Sequence, residues 1–493
     1  MTAEEIEFLF KSDKNDWYQD TDNNVRIWDI AKVTHFWAQI VAHKTSKGDF
    51  HFDSFVFPTF YKTIIPILNS EHIFFHEVFG ATGEIINSKV KFSNCQFLDG
   101  FINPNTNIAG ISVTKTLISF NEDLEFVDCN FLGEFRMGYT NFDKAFRIHN
   151  CNFHGAFTLM SCIITKTFSI HSSKFRKGVL FFTNEHFGIT NIYESEFFGL
   201  SRFARTEYKD QFHLNSCIFN SKTEFFNNNY KVTCTIAFPQ FYGAINISNE
   251  NYVLGNFQDW IFSEKQSFIR DMSIKNSSVL KLRNIIFPSN FNFVRCDFTN
   301  VLFMESSIEN VRFSMCQWNT NSRLIIRDEL EQKKINRTHL LQFEDIYRQL
   351  KNNFENQKDW EHSGLAYISE LTMRERRLRI EGSWGSWIIY RIYDLFGAYT
   401  QSFIRPFLWY SLFTFLIFPL YYLFFDGVKF GIYAHITKVH SLFESLEMSL
   451  SASLPLLKSE LVYESFWIKS IQSIISGILL TFFILALRKR FKQ

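Results

Sequence analysis

The sequence is poor in glycine and proline, with 20 glycines and 8 prolines among 493 residues. Disordered and loop-rich chains use these residues heavily, so the composition argues against both classes. Net charge is also low, at +1. The chain as a whole therefore has no electrostatic pull toward nucleic acid or anionic lipid. Its length predicts more than one domain.

Several catalytic and targeting motifs are missing as well. The chain has no Walker loop, no dinucleotide-binding glycine pattern, no HExxH and no nucleophile elbow, so no enzyme is predicted. It has no CxxC pair with the spacing of zinc ligands, so neither a metal nor a cofactor is expected. The first residues are acidic and lack a basic region followed by an apolar core. We therefore expect no signal peptide and a cytosolic location for most of the chain.

Phenylalanine is abundant, with 61 copies, and it recurs at fixed spacing. Two series run in steps of 11 residues, and such spacing of aromatic and β-branched residues is typical of a repeat built from β-strands rather than helices. We interpret the region as coils of about 22 residues. The series are Phe131, Phe142, Phe153, Ile164, Phe175, His186, Phe197, Tyr208 and Phe219, and Phe126, Met137, Ile148, Leu159, Ile170, Phe181, Ile192, Phe203, Leu214 and Phe225.

Further along the chain the step shortens to five residues. Large side chains lie at Phe293, Phe298, Phe303, Ile308, Phe313 and Trp318, and small residues precede several of them by two positions: Cys296, Ser306 and Cys316. This run resembles the pentapeptide-repeat family. The resemblance implies a right-handed quadrilateral β-helix in which the large side chains stack inside. Residues 236–290 fit neither spacing, which predicts a bulge or an insertion there.

All eight cysteines stand two residues before an apolar residue, as Cys151 does before Phe153. Because a free thiol packs as a small apolar group, we interpret the cysteines as small filler inside the coils. The predicted architecture is a β-solenoid over residues 81–320 behind an N-terminal cap over 1–80. A helical linker follows over 321–383, then an interfacial helix over 384–403 and a two-span membrane domain over 404–493.

The linker carries one apolar stripe at helical spacing: Phe343, Tyr347, Leu350 and Phe354. It resembles the helical segment that joins repeats to membrane helices in membrane-anchored pentapeptide-repeat proteins. The end of the linker is basic, and two interpretations are open. The arginines mark the cytoplasmic face of a bilayer, where they contact lipid headgroups, or they form a site for an anionic ligand. The arginines concerned are Arg374, Arg376, Arg377 and Arg379.

Two uncharged runs predict transmembrane helices, at 407–425 and at about 470–487. Basic residues precede the first run and follow the second. The positive-inside rule then predicts both termini in the cytoplasm. We expect a bacterial-type inner-membrane protein. The aromatic segment before the first span is typical of a helix that lies on the membrane surface.

The segment between the spans combines a serine stripe with leucines at the same spacing of four residues. Two spans around such a segment resemble the two-span ion channels, which assemble as tetramers around a short pore helix. The carbonyl-loop filter motif of potassium channels is missing, which puts potassium selectivity in doubt. Pore-lining candidates are Ser441, Ser445, Ser449 and Ser453 in this segment, and Ser470, Ser473, Gly477 and Thr481 in the second span. Close packing between helices is the alternative role for the second set.

We therefore expect a homo-oligomeric ion channel, most simply a tetramer, whose cytoplasmic solenoid gates it. The layout is similar to membrane effectors of phage defence, which suggests a nucleotide or oligonucleotide signal; this is an analogy of layout only. A membrane-tethered scaffold that binds a protein partner along the solenoid wall is the alternative.

Overall fold

The computed structural model describes residues 18–20, 26–29, 31–33, 50–57, 85–102, 118–262, 267–332, 335–424, 428–429, 435–436, 441–454, 457 and 466–491, apart from positions 88, 99 and 304. Contacts divide the chain into two compact units. The first comprises residues 1–319 and 326–331, and the second comprises residues 320–325 and 332–493.

The first unit is a parallel β-solenoid of about eight turns, which confirms the predicted fold class. Leu124–Val127 pairs in parallel with Phe146–His149, which pairs with Phe168–His171, so successive coils are 22 residues apart as the periodicity predicts. Each coil has four sides, and strands of four residues alternate with strands of two. The first and fourth walls join in one 17-stranded sheet, whereas the second and third are separate sheets of nine and ten strands.

The strands of each wall follow in chain order. The first wall comprises Phe50–Asp53, Val90–Ser93, Leu124–Val127, Phe146–His149, Phe168–His171, Thr190–Tyr193 and Phe212–Asn215, followed by the long strands Asn229–Ala237, Asn251–Gln258 and Ser273–Arg283, and by Val301–Leu302. The second wall comprises Val56–Phe57, Gln96–Phe97, Asn130–Phe131, Asn152–Phe153, Lys174–Phe175, Glu196–Phe197, Ile218–Phe219, Gln240–Phe241 and Ile261–Phe262. The solenoid ladder thus already includes Phe50–Phe57, within the segment expected to be a cap.

The third wall comprises Gly100–Ile102, Glu134–Gly138, Phe157–Met160, Val179–Phe182, Ser201–Ala204, Thr223–Phe226, Ile245–Ser248, Phe268–Arg270, Asn292–Val294 and Arg312–Ser314. The fourth comprises Ile85–Ile86, Ile118–Phe120, Thr140–Phe142, Ile163–Ile164, Glu185–His186 and Glu207–Tyr208, and continues into the starts of the three long strands. Two antiparallel pairs complete the strands of the described residues, Tyr18–Asp20 with Arg26–Trp28 and Val428–Lys429 with His435–Ile436.

Stacked aromatic rings form the core of the solenoid. Both predicted series are buried throughout, including His186, which occupies a ring position between coils. Along the second wall, neighbouring rings lie 4.4–5.2 Å apart between centroids and within 15° of parallel, in the column Phe57, Phe97, Phe131, Phe153, Phe175, Phe197, Phe219 and Phe241. Seven of the eight cysteines are buried beside this core, in the small inner positions predicted for them.

The corners of the coils use left-handed backbone at residues other than glycine. From Asp128 to Asn249, every eleventh residue has a φ between 49° and 60°. At each of these corners the ladder continues, as where the Asp128 N–H donates to the His149 carbonyl at 2.9 Å. These hydrogen bonds offset the strain, which is about 1–2 kcal/mol for a residue with a side chain.

The last coils depart from the 22-residue step. The pairing of Asn251–Gln258 with Ser273–Arg283 shifts register between Tyr252 and Leu254, within the region where the sequence predicts a bulge or insertion. Phe293 then pairs with Phe313, which gives a new step of 20 residues, or four pentads. The short helix α1, Arg327–Glu331, follows the last coil, and both carboxylate oxygens of its Asp328 accept the Phe303 N–H at 3.0–3.1 Å.

The second unit is helical. Helices α2 (Arg337–Asn356) and α3 (Trp360–Ile380) form a hairpin that buries the predicted apolar stripe of α2. Helix α4, Trp384–Gly397, exposes one apolar face, formed by Trp384, Ile388, Ile389, Ile392 and Leu395. Its placement on a membrane surface stays a prediction.

Two long apolar helices follow, with a short helix between them. The first apolar helix, Ile404–Phe424, consists of α5 (Ile404–Leu412), a π-helical segment (Phe413–Ile417) and α6 (Phe418–Phe424). The short helix is α7, Leu442–Ser453, and the second apolar helix is α8, Phe466–Phe491. Both apolar helices could cross a membrane, and only 22% of the most apolar stretch of each is buried. A core helix of a water-soluble protein would be mostly buried instead.

Candidate functional site

Helix α7 is too short to cross a membrane. Its 12 residues span about 18 Å, whereas a hydrocarbon core is about 30 Å thick. A capping box defines its start, because Ser441 Oγ accepts the Glu444 N–H at 3.2 Å and the Glu444 carboxylate accepts the Ser441 N–H at 2.7 Å. The chain becomes extended at Leu454, directly after the last helical residue.

The serine stripe of α7 points into the helical unit. Ser445, Ser449 and Ser453 are all buried. Ser449 Oγ donates to the Thr414 carbonyl at 2.7 Å, and Thr414 Oγ1 donates to Ser453 Oγ at 3.1 Å. These bonds fasten α7 to the first apolar helix.

Gln472 of α8 joins the same cluster from the other side. Its Nε2 lies 2.8 Å from both the carbonyl and the hydroxyl oxygen of Ser449, and 2.7 Å from Ser453 Oγ. Tyr422 donates its hydroxyl to Gln472 Oε1 at 2.8 Å. We call Thr414, Tyr422, Ser449, Ser453, Gln472 and Ser476 the polar cluster. All six residues are buried among the three helices.

Part of the polar cluster lies halfway along both apolar helices, whereas Tyr422 lies near the end of the first. Thr414 is at the middle of Ile404–Phe424, and Ser476 is at the middle of Phe466–Arg488. Ser476 Oγ lies 3.2 Å from Ser453 Oγ, next to the C-terminal end of α7. Helix α7 therefore runs from Ser441 to the midpoint of the two apolar helices and ends there.

The π-helical segment explains why the Thr414 carbonyl lacks a backbone hydrogen-bond donor. Within it the Phe418 N–H donates to the Phe413 carbonyl, five residues back. The next residue, Pro419, would donate to Thr414 in the same register but has no N–H. Ser449 Oγ supplies the missing donor. Such π-bulges and prolines in apolar helices are tolerated where a side chain satisfies the freed group.

The four candidates in the second apolar helix behave differently from the serine stripe. Ser473, Gly477 and Thr481 are exposed, and Ser470 is half-buried. Their spacing places them on one side of α8, which we call the small-residue face. A neighbouring side of α8 exposes only apolar side chains: Ile471, Ile474, Ile478 and Leu485.

Hydroxyl groups on the small-residue face are satisfied within the chain. Ser470 and Thr481 donate to carbonyls one turn back, at 2.9 and 2.7 Å, and Ser473 donates to the Ala452 carbonyl of α7 at 2.8 Å. A Cβ added at Gly477 would meet no other atom within 4 Å. The glycine is therefore not required by packing inside this chain.

The arginines divide into two pairs. Arg374 Nε and Arg377 Nε donate to the two carboxylate oxygens of Glu344 at 2.8 and 3.1 Å, and Glu344 is buried. This pair holds the α2–α3 hairpin together. Arg376 and Arg379 are exposed on the opposite side. Recognition of lipid headgroups or an anionic ligand stays a prediction for all four.

The sequence did not single out Thr414, Tyr422, Gln472 or Ser476. Gln472 had the clearest signal, as the amide within the uncharged second run, where polar side chains require a partner. Pro419 was a second signal, because a proline in an apolar helix frees a carbonyl that some donor must satisfy. Comparison of the chain with protein-family models, curated proteins and solved structures finds no match.

Proposed function

We propose that this chain is the subunit of a homo-oligomeric ion channel in a bacterial inner membrane, regulated through its solenoid. The observation that carries the proposal is helix α7, which ends at the midpoint of two apolar helices, where the polar cluster fixes it. A helix that stops at the bilayer centre leaves its last carbonyl groups there without backbone hydrogen-bond donors. Such backbone is stable only within protein or against a water-filled cavity.

The direction of α7 favours cations. A helix carries a partial negative charge at its C-terminal end, and here that end lies at Ser453 beside the midpoints of both spans. Carbonyl dipoles directed at the centre of a pore stabilise a dehydrated cation. The polarity of the buried helix therefore supports conduction of cations over anions.

Two spans cannot enclose a water path by themselves, so the pore requires several copies of the chain. Closed rotational symmetry is the usual solution, and a tetramer is the simplest arrangement by resemblance to the two-span channels. The small-residue face of α8 is exposed in the single chain and either lines this path or packs against the next copy. The apolar side of α8 would face lipid.

Membership of the pentapeptide-repeat family is part of the proposal. The 20-residue step between Phe293 and Phe313 supports it, because four pentads make one such coil. The positive-inside rule supports a cytoplasmic solenoid and cytoplasmic termini. A role in phage defence has no further support here and stays a prediction.

Ion flux from liposomes that contain the purified full-length chain tests the proposal. We expect potassium or sodium flux that exceeds chloride flux, and a change in flux for Gly477→Val, which adds bulk to the small-residue face. Ile478→Val, on the apolar side, is the matched control and should conduct like the wild type. If a folded oligomer conducts no ion, the channel is excluded and the membrane-tethered scaffold becomes the better account.

A further inference from the structure

Cys316 is the one cysteine of the eight that is not buried. It lies in the last coil of the solenoid, directly after the left-handed corner residue Met315. Its equivalent in the preceding coil is Cys296, which follows the corner residue Arg295 and is completely buried. The two thiols are therefore equivalent in the fold but differ in their access to water.

The register of the ladder holds the two cysteines side by side. Two positions before them, Val294 pairs with Ser314. One position after them, Asp297 pairs with Gln317, and the Gln317 N–H donates to the Cys296 carbonyl at 2.9 Å. Neighbouring strands in register bring equivalent residues about 4.8 Å apart. This separation lies within the range of about 4.4–6.8 Å between the Cα atoms of a disulfide.

Stacked rings fix the same two coils on both sides of the cysteines. Phe293 and Phe313 stack with centroids 5.6 Å apart and planes within 7°. Phe298 and Trp318 stack with centroids 4.5 Å apart and planes within 9°. The cysteines lie between these two ring pairs in the sequence, so a bond between their sulfur atoms requires no change of register.

The Cys316 thiol is the more acidic of the two. A hydrogen bond between the Cys296 and Cys316 side chains lowers the pKa of Cys316 and raises the pKa of Cys296. Burial raises the pKa of Cys296 further. Oxidants react with the thiolate, and an acidic, accessible cysteine beside a second cysteine is typical of reversible thiol oxidation.

We propose that Cys316 and Cys296 form a reversible disulfide, driven by peroxide, that fastens the last coil to the coil before it. The Cys316 thiolate attacks one peroxide oxygen, the O–O bond breaks, and Cys316 becomes a sulfenic acid as hydroxide leaves. The Cys296 thiol then attacks the Cys316 sulfur and gives its proton to the departing hydroxide, which leaves as water. Two thiols are oxidised and one peroxide is reduced, so the step requires no other reactant. The modification does not depend on conduction of ions.

A second column of cysteines provides a comparison within the chain. Cys95, Cys129 and Cys151 occupy equivalent positions in successive coils, directly before strands that pair in register. Hydrogen bonds to the thiols on either side lower the pKa of Cys129 as well. Each of the three cysteines is only 1% exposed, however. We therefore expect this column to stay reduced in the folded chain, because a dissolved oxidant has no access to it.

Peptide mass spectrometry of the full-length chain in detergent tests the proposal. Trypsin cleaves after Arg295, Arg312 and Arg323. The two cysteines therefore fall in separate peptides, residues 296–312 and 313–323. After treatment with hydrogen peroxide and alkylation of the remaining thiols, we expect the two peptides as one linked species. Dithiothreitol should separate them again, which distinguishes the disulfide from oxidised methionine.

Cys296→Ser separates the two steps, because it removes the second sulfur and keeps a hydroxyl donor beside Cys316. In this variant we expect oxidation of Cys316 to stop at the sulfenic acid, which dimedone traps as an adduct. Cys162→Ser is the matched control. Cys162 is buried and also follows a left-handed corner at the end of a third-wall strand, and this variant should form the linked species like the wild type.

Three results would overturn the proposal. The first is that peroxide leaves the two peptides unlinked. The second is that Cys316 of the wild-type chain is oxidised to sulfinic acid while Cys296 stays a thiol, which would mean that the buried thiol does not reach the sulfenic acid. The third is that Cys129 is oxidised as fast as Cys316, since access to the oxidant would then not select the site.

Discussion

The solenoid and the apolar helices distribute polarity in opposite ways. Inside the solenoid, rings such as Phe131 and Phe153 stack with centroids 4.6 Å apart, and the outward positions of the walls carry mixed polar and apolar side chains. In the helical unit, Gln472 and Ser449 are buried, whereas Ile474 and Ile478 are exposed. A protein surface matches its solvent, so apolar side chains exposed along both apolar helices fit helices that could cross a membrane.

Buried polar groups test this contrast, because each unit treats them differently. Between the two apolar helices and α7 they form one connected cluster. The solenoid places them in small separate groups, as where Glu250 accepts from Asn228 and where His186 contacts Thr190. Burial without a charged partner raises the pKa of Glu250 to about 8 and lowers the pKa of His186 to about 3, so both side chains are neutral at pH 7.

The largest expected effect on stability comes from removing one ring from the stack. Phe153 stacks between Phe131 and Phe175, with centroids 4.6 and 4.8 Å away. Phe153→Ala leaves a cavity that rigid neighbouring coils cannot close, and we expect a loss of about 3–5 kcal/mol in the free energy of unfolding. Denaturant unfolding followed by the β-sheet circular dichroism signal measures it. The exposed Lys174→Ala should change stability by less than about 0.5 kcal/mol, and a similarly small effect of Phe153→Ala would contradict the stack.

A pH-dependent effect of a few kcal/mol is expected at Glu250. Its pKa is about 8 in the fold and 4.5 ordinarily, so between these values the folded chain holds a proton that the unfolded chain releases. The free energy of unfolding therefore falls as pH rises through this window, by about 1.4 kcal/mol for each unit of pKa difference.

Glu250→Gln stays neutral and should remove that pH dependence. Unfolding measured at about pH 5 and about pH 8.5 gives the comparison. Glu194→Gln, at an exposed corner, should keep the wild-type dependence. An unchanged pH profile in Glu250→Gln would show that the carboxyl group is not buried in the neutral form.

A smaller effect distinguishes the two pairs of linker arginines. Arg377→Met removes a donor from the buried Glu344 carboxylate, while Arg374 stays. We expect a loss of about 2 kcal/mol in the stability of the α2–α3 hairpin, the usual scale for a hydrogen bond to a charged group. Thermal unfolding followed by helical circular dichroism measures it. The exposed Arg379→Met is the control, and equal effects of the two substitutions would contradict a structural role for Arg377.

The smallest expected effect is in the polar cluster. Gln472→Leu removes the amide that joins Ser449, Ser453 and Tyr422. Hydrogen bonds between membrane helices contribute about 1 kcal/mol, so we expect a small loss of thermal stability in detergent. Ile474→Leu, on the apolar side of α8, should have no effect. A stabilised Gln472→Leu variant would mean that an apolar interior suits these helices better, which would contradict the inverted arrangement.

The periodic part of the fold could be predicted because the same residue types recur at the same inner positions. Phe126 and Phe131 alone set the two registers, and all their equivalents are buried. The left-handed corners could not be predicted, since Asp128, Tyr139 and Arg205 share no property that favours that backbone. The ladder imposes the conformation, and only the folded coil reveals it.

The candidate site was predicted in part. Spacing placed Ser445, Ser449 and Ser453 on one helical face, but spacing cannot tell whether that face meets a pore or another helix of the same chain. The answer depends on Gln472 and Thr414, which contact the stripe from distant parts of the sequence. Whether any of the eight candidates lines a pore stays a prediction.

Cysteine accessibility during ion flux is the most direct test of the membrane arrangement. Cysteines are introduced one at a time at Gly477 and Thr481, on the small-residue face, at Ile474 and Ile478, on the apolar side, and at the buried Ser449. The unsubstituted chain, which has eight cysteines of its own, is the control for the reagent. A charged, water-soluble thiol reagent should block ion flux in the variants with a cysteine at Gly477 or Thr481. It should leave ion flux unchanged in the other three variants. Block at Ile474 or Ile478 with none at Gly477 and Thr481, or the absence of any cation flux to block, would contradict the account.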